Sequence, residues 1–550
     1  MSDSQAKRTL PRVLISLLIT LVIGGVWFYV SLPALNLHNT SFYSFLLILL
    51  LVYILVFMIT LGVDTGKQGI HLRDYLSFAK NQCKAVVIIV LALAALFVVG
   101  QLISAPIFRA GAYHDLLQVD SGNFSTEIEQ VSFDEIPMLD ESSARRLGDR
   151  KLGELSDMVS QFEVAYDYTQ INYKGRPVRV AALEYGDFFK WFINTKEGLP
   201  AYITVDMVTQ EAQVIRLSSG MRYSPSEYFN RDLARTLRFR YPTYMFSSAH
   251  LEIDEQGQPW WVCPRETRTI GLFGGTDIIG AVLLNACTGE SAYYSIQDIP
   301  TWVDRVYSAN LIAQQYDFYG TYIQGFINSL IGQKDVTVTT ADYNYLAMND
   351  DVYMYTGITS VSSDQSNIGF LLSNQRTKKT TFYPVPGAIE ASAQDSAEGV
   401  VQDLGYTATF PLLLNIGSQP TYFMSLKDSS DLVKMYAMVN VSQYQIVATG
   451  TTVAACESDY IAKLKQHNIS VVVSGDQSIT IDQSKVSGTI AEIRTAVLNG
   501  DSWYYIRLDG SDTFYAIAAS ANRNVVILNV GDNVTVQSAS EDTTAPIQNA

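Results

Sequence analysis

Nucleophilic hydrolysis needs a general base within hydrogen-bond reach of an activated nucleophile. From residue 108 onward the chain offers three histidines for that role, His114, His250 and His467. None accompanies a Gly-x-Ser-x-Gly elbow or a cysteine in a recognisable catalytic setting, so they read as solvated or capping residues. His250, Glu252 and Asp254 fall on one face of a strand, a usable donor set for a divalent cation, although exposed strand residues are the plainer reading. The neighbouring acids Asp350 and Asp351 would point to opposite faces of a strand, which suits a solvated turn better than acid–base work. The stretch from Gly271 through Gly274 and Gly275 to Gly280 is the richest in glycine, yet it lacks the Lys-Ser/Thr ending of a phosphate-cradling loop and reads as a connection between strands. Trp503, Tyr504, Tyr505, Phe514 and Tyr515 have the composition of a stacking platform for single-stranded nucleic acid. A formal charge of −16 argues against phosphate partners, and core packing is the expectation for these rings. The sequence therefore assigns no catalytic, cofactor-binding or metal-ligating residue.

Three apolar runs, Val13–Leu32, Phe42–Leu61 and Ala85–Ile107, must hold everything else in place. As helices, runs of about 20 residues cross a hydrocarbon core of about 30 Å. Lys7, Arg8 and Arg12 precede the first run, and Lys67, Arg73, Lys80 and Lys84 fall between the second and third, whereas Pro33–Ser41 carries no formal charge. Basic flanks stay cytoplasmic, so the expectation is a plasma-membrane protein with its N-terminus inside and residues 108–550 outside. Reading the first run as a cleaved signal peptide would leave the body inside, against the charge rule. Ile70, Leu72, Leu76 and Phe78 interleave with Arg73, Lys80 and Lys84, a pattern suited to a short helix lying on the inner leaflet.

Cysteine usage is low. Cys263, Cys287 and Cys456 are too few and scattered for a disulfide framework, which leaves open a Cys263–Cys287 pair or buried thiols. An exported body with so little cysteine fits a Gram-positive type bacterial surface.

The body contains an internal repeat. A helix pattern over 141–155 is followed by Gly175-Arg-Pro177-Val-Arg-Val180 and by Asp206-Met-Val-Thr209-Gln-Glu211 between two strands; helix Tyr228–Arg238, Gly257-Gln-Pro259-Trp-Trp-Val262 and Asn285-Ala-Cys-Thr288-Gly-Glu290 replay that order. The prolines are 82 residues apart and the turns 79, two landmarks keeping nearly one offset. Weaker echoes are Asn374-Gln-Arg-Thr377 before Phe382-Tyr383, and then Ala391–Leu404, Gly417-Ser-Gln-Pro420 and Met435–Val447. Between the second and third units, Pro300 is expected to open a helix running to Ile331. Short alternating runs from Ser487 to Gln537 predict a small five-stranded OB-like or SH3-like barrel.

With Val205, Asp206, Thr209 and Glu211 in one unit and Asn285, Thr288, Gly289 and Glu290 in the next, the unit resembles the PepSY domain. This is a small extracytoplasmic module in which a helix packs on a sheet and the closing hairpin often reads Val-Asp-x-x-Thr-Gly-Glu. Gln210 replaces the turn glycine in the first unit and Asn285 replaces the acid in the second. The resemblance implies a binding or inhibitory module, linked in some members to peptidase control or envelope machinery, and no catalysis.

The expected class is α+β. The expected segments are an anchor over 1–107, an irregular acidic approach over 108–140, and PepSY-like units over 141–222, 223–300, 301–387 and 388–468. A barrel over 469–540 and a disordered tail over 541–550 complete the chain. The expected role is a noncatalytic binding, assembly or regulatory component of the bacterial envelope, with the lipid bilayer and an envelope protein as partners and no nucleic acid or cofactor. The alternative is an envelope hydrolase with a site assembled between repeats.

Overall fold

The structure is a computed structural model that describes residues 3–65, 84–128, 136–348, 350–361, 366–469, 471, 485–498, 501–511, 514–519 and 523–537. The inner-leaflet helix expected around residues 70–84 lies almost wholly outside the described residues. The chain divides into two compact units, Met1–Val472 and Val473–Ala550.

Three helices, α1 (Asp3–Ser31), α2 (Thr40–Thr65) and α3 (Lys84–Ser104), include apolar stretches long enough to cross a membrane. The third ends earlier than its apolar run, because Pro106 cannot continue a helix and instead opens α4 (Pro106–His114). The approach to the body is more regular than its composition implies. Val119–Ser121 adds a parallel edge strand to the sheet of the third unit, and Asn123 caps a single turn at Phe124–Glu127.

Four sheets follow one plan, in which two short strands pair side by side with the same long strand and two further antiparallel strands complete the order. In the first sheet Phe162–Val164 and Thr169–Tyr173 both pair with Arg176–Tyr185, followed by Leu199–Asp206 and Ala212–Met221. In the second, Met245–Phe246 and His250–Ile253 pair with Pro259–Ile270, then come Gly274–Asn285 and Ser291–Ser295. The third uses Thr337–Thr339, Asn344–Met348, Asp351–Ser360, Ser366–Asn374 and Thr380–Tyr383. The fourth uses Thr407–Ala408, Leu412–Ile416, Gln419–Lys427, Val433–Asn440 and Val447–Gly450.

A helix precedes each sheet: Glu141–Gly153, Leu233–Arg240, Ala309–Thr321 and Glu390–Val400. Asp140, Asp232 and Ser308 cap the first three by accepting the N–H three residues on. The third therefore starts at the Ser308 cap, and Pro300 lies in a turn upstream of it. A further helix, Val453–Gln466, lies beside the fourth sheet's last strands.

The hairpin between the last two strands is the most uniform part of the plan. Asp206, Asn285 and Asn374 each accept two backbone N–H groups from the residues two and three positions on, and Asn440 accepts that of Gln443 in a turn one residue longer. The N–H after each of these residues donates to the first part of the long strand: Met207 to Pro177, Ala286 to Pro259, Gln375 to Val352 and Val441 to Pro420, all at 3.0–3.1 Å. That bond ties the two hairpins of each unit together. The apolar cores then fuse across units, one joining the first and second, one the second and third, and one the third and fourth.

The C-terminal unit is a four-stranded antiparallel sheet in which the 14-residue strand Lys485–Leu498 pairs with Asn533–Gln537 along its first part and Asp501–Leu508 along its second. Phe514–Ala518 completes it. No pairing that would close a barrel is present among the described residues. Tyr504 and Tyr515 pack against the small core of Ile490, Ile506, Leu508 and Val525.

Candidate functional site

The glycine-dense stretch is the tip at which the second unit meets the spans. Gly271 and Gly275 have φ of +60° and +63°, so the reversal between Pro259–Ile270 and Gly274–Asn285 uses backbone that residues with a Cβ avoid. The turn presents Leu272 and Phe273. Phe273 stacks edge-on against Tyr43 of α2 at 5.4 Å and sits 5.2 Å from Phe97 of α3. Ser104 at the end of α3 accepts the N–H groups of both Leu272 and Phe273 through its hydroxyl, at 2.9 and 3.0 Å, while donating to the Gly100 carbonyl. A Cβ at Gly100 would come within 2.7 Å of both side chains, so the groove that receives them needs glycine there. His38, in the link between α1 and α2, bonds the Leu272 carbonyl at 2.8 Å.

A second contact joins α1 to the helix Leu233–Arg240. The Arg238 guanidinium donates to the Leu32 carbonyl at 2.9 Å, Arg235 lies 4.3 Å over the Tyr29 ring, and Leu35 donates to Pro242 at 2.8 Å. Carbonyls freed at a helix end are a natural target for arginine.

Within the body, carboxylates approach the junctions between units from the segments just upstream of, or at the start of, the next helix. Glu227 accepts from Tyr185 at 2.7 Å and from the Trp191 indole at 2.8 Å, both in the first unit, and burial raises its carboxyl above the ordinary range. Asp304, 1% exposed, accepts the Asn172 N–H at 2.6 Å. Burial first, and the Glu252 carboxylate second, push the Asp304 carboxyl far above the usual carboxylate range. Glu390 enters the third sheet beside Gly357, keeps Oε1 without a hydrogen-bond partner, and is pushed up to about 7, mainly by burial. Asp140 bonds Lys427 of the fourth unit at 2.8 Å, and burial there is outweighed by its hydrogen bonds, leaving its carboxyl below the ordinary range.

The sequence candidates fall into this frame. His250 and Glu252 are 2% and 0% exposed rather than solvated, and lie 2.9 Å apart. Glu252 also accepts the N–H groups of Asp304 and Arg305, so it ties its strand to the segment leading into the third unit. Asp254 is turned away onto its own hairpin, accepting from Gln256, Gln258 and the Trp260 indole. The three residues do not converge, and no group of three metal-ligating side chains occurs among the described residues. Asp350 sits at a turn with φ of +63°, but Asp351 is buried in a two-pronged ion pair with Arg376 and accepts from Asn374, so it is no solvated acid. His114 stacks on Tyr319 at 4.7 Å, and His467 ends the helix Val453–Gln466 at the surface. Cys263, Cys287 and Cys456 are buried free thiols; burial pushes Cys287 up to about 11 and Cys456 up to about 12.

The cavity at the meeting of the first, third and fourth units, lined by Met138, Met207, Tyr345, Phe410 and Phe423 among others, has a volume of about 20 Å³, the room of a single water. This arrangement can fix one unit against the next; Glu227, with Glu184 and Asp232, also lines an open pocket of about 460 Å³ beside Tyr29 of α1. Ser104, Phe273, Glu227, Asp304 and Glu390 carry these contacts, and sequence reasoning passed over them. Their one local signal is position, since the three acids sit at or just before the point where a new unit begins. No family model matches the chain, and no curated protein matches it.

Proposed function

We propose that the chain is a membrane-anchored, noncatalytic binding or assembly component of a bacterial cell envelope, its four repeated units presented outside the cytoplasm as PepSY-like modules and its terminal sheet as part of an OB-like or SH3-like barrel. The observation that carries the reading is the seat of Leu272 and Phe273 between α2 and α3, capped by Ser104. A body seated on its spans by a built contact is suited to holding a partner at a set height above the bilayer. The buried acids support the same reading, because backbone and side-chain donors of neighbouring units occupy them. The long strand shared by two partners in the terminal unit is what a small barrel requires.

Site-specific photo-crosslinkers at exposed positions of the four units, in intact membranes, test it alongside the double variant His114→Gln/His467→Gln. The expected result is one envelope protein captured from a contiguous set of positions, with the double variant supporting the parent phenotype. A folded double variant that loses the phenotype would instead support the hydrolase alternative.

A further inference from the structure

Two groups of exposed apolar side chains flank the ends of the spans, and neither is explained by the seat of Phe273. The first begins at α4. Its inner face is fixed by Tyr113, whose hydroxyl donates to the Ser104 carbonyl at 2.8 Å and whose ring lies 4.8 Å from Phe318. Its outer face leaves Ile107 and Phe108 56% and 67% exposed, beside the helix Gly325–Leu330, where Ile327 and Ile331 are 74% and 83% exposed. An open, apolar groove of about 560 Å³ runs between the two helices.

The second group is on the helix Phe188–Asn194. Trp191 anchors it inward through Glu227, and Phe189, Phe192 and Ile193 are 76%, 66% and 74% exposed. Trp191 meets Phe229 at 5.8 Å, Phe229 shares an open pocket with Tyr29 of α1, and ten residues further on Phe239 lies 5.7 Å from Phe28 of α1. This helix occupies the link between the long strand and the next one in the first unit. The corresponding link in the second unit is the Leu272–Phe273 tip, already seated on the spans.

We infer that both groups rest in the interface of the leaflet at the body-side ends of the spans, so that the occupant of these surfaces is lipid. Continuity with the spans carries the inference. Phe108 lies four residues beyond Ser104, which bounds its distance from the end of α3 at about 14 Å if extended, and its helical backbone brings it nearer. The polar zone between hydrocarbon and bulk water is about 5–8 Å deep on each side, and aromatic and aliphatic side chains on short surface helices favour it. Soluble surfaces seldom expose contiguous apolar patches of this kind. Arg235 over the Tyr29 ring, Lys190 within the helix Phe188–Asn194 and Arg109 within α4 add cations that anionic lipid headgroups would attract.

The inference rests on the membrane-held reading above and adds how the body lies on the bilayer. Full-length protein in which Cys83, the fourth cysteine of the sequence, is replaced by Ser, carrying a nitroxide at Ile193→Cys or Ile327→Cys and reconstituted into vesicles of three parts phosphatidylcholine to one part phosphatidylglycerol, tests it by power saturation. Leu18→Cys on α1 is the lipid-facing control and Gln466→Cys the aqueous one. The expected result is greater accessibility to oxygen than to a water-soluble nickel chelate at 193 and 327, as at 18, and the reverse at 466. Preference for the chelate at 193 and 327 with 18 still lipid-exposed would overturn the inference while leaving the anchored reading intact. Spin–spin broadening between copies at either position would overturn it in favour of a second copy as the occupant, and loss of lipid exposure at 18 would overturn both readings.

Discussion

Glu390 and Asp304 are carboxyl groups whose hold on a proton is strengthened on folding, chiefly by burial. For an acid whose folded pKa is raised, the native state binds more protons than the unfolded chain between the two pKa values, so stability is greatest below the unfolded value and falls as pH rises through the folded one. For Glu390 that window runs from its ordinary 4.5 to about 7, and at about 1.4 kcal/mol per pH unit the loss is on the order of 3 kcal/mol. Glu390→Gln is expected to flatten that part of the stability–pH curve of the four-unit body, measured by denaturant melts between pH 4.5 and 8; an unchanged slope would remove Glu390 as its source. Asp304→Asn should act in the same direction, because an amide oxygen can still accept the Asn172 N–H and neutrality no longer requires a bound proton. The buried thiols give a second expectation at this scale. With Cys83 replaced by Ser, a thiol reagent at pH 8 should modify the native protein slowly and modify three groups on unfolding.

The turn residues explain what was legible in the sequence and what was not. Asp206, Asn285 and Asn374 recur because a short side chain two and three residues before the N–H groups it accepts is a local requirement, visible in any one copy. Gln210 and Lys378 stand at left-handed φ of +61° and +62° where Gly289 stands in the second unit, and their reasons lie in other units. Gln210 donates to the Tyr436 hydroxyl at 2.7 Å, and Lys378 reaches both oxygens of Asp277 at 2.7 and 2.8 Å. Gly289 is packed against the Tyr223 ring, which a Cβ would approach to 2.2 Å. Gly289→Ala is therefore expected to cost about 2 kcal/mol or more, from overpacking and from the left-handed backbone together. Gln210→Gly should come out near zero, the relaxed backbone offsetting the lost contact with Tyr436. Chemical denaturation of both variants checks the pair. The helix of the third unit was misplaced for a related reason: Pro300 looks like a helix start in isolation, whereas Val303, Asp304 and Val306 are needed as a buried turn and the Ser308 cap comes later.

At the scale of the molecule, hydropathy marks the three helices that are long and apolar enough to cross a membrane, and turn spacing marks the plan that the four sheets repeat. The contacts that join units were not legible, because they pair residues such as Asp140 with Lys427 or Asp277 with Lys378, whose separation along the chain leaves no periodic trace. The Phe273 seat belongs to the same class. Phe273→Asp should leave the four-unit body folded in lipid nanodiscs but make the 271–275 loop cleavable, since a charge is not accepted between Tyr43 and Phe97; a loop still protected would contradict the seat. The most direct test of the account as a whole is the side of the membrane on which the body lies. In whole cells, with Cys83 replaced by Ser, an impermeant thiol reagent is expected to label Gln466→Cys and to leave Lys67→Cys unlabelled until the membrane is permeabilised. Labelling of Lys67→Cys but not Gln466→Cys in intact cells would place the body in the cytoplasm and contradict the account.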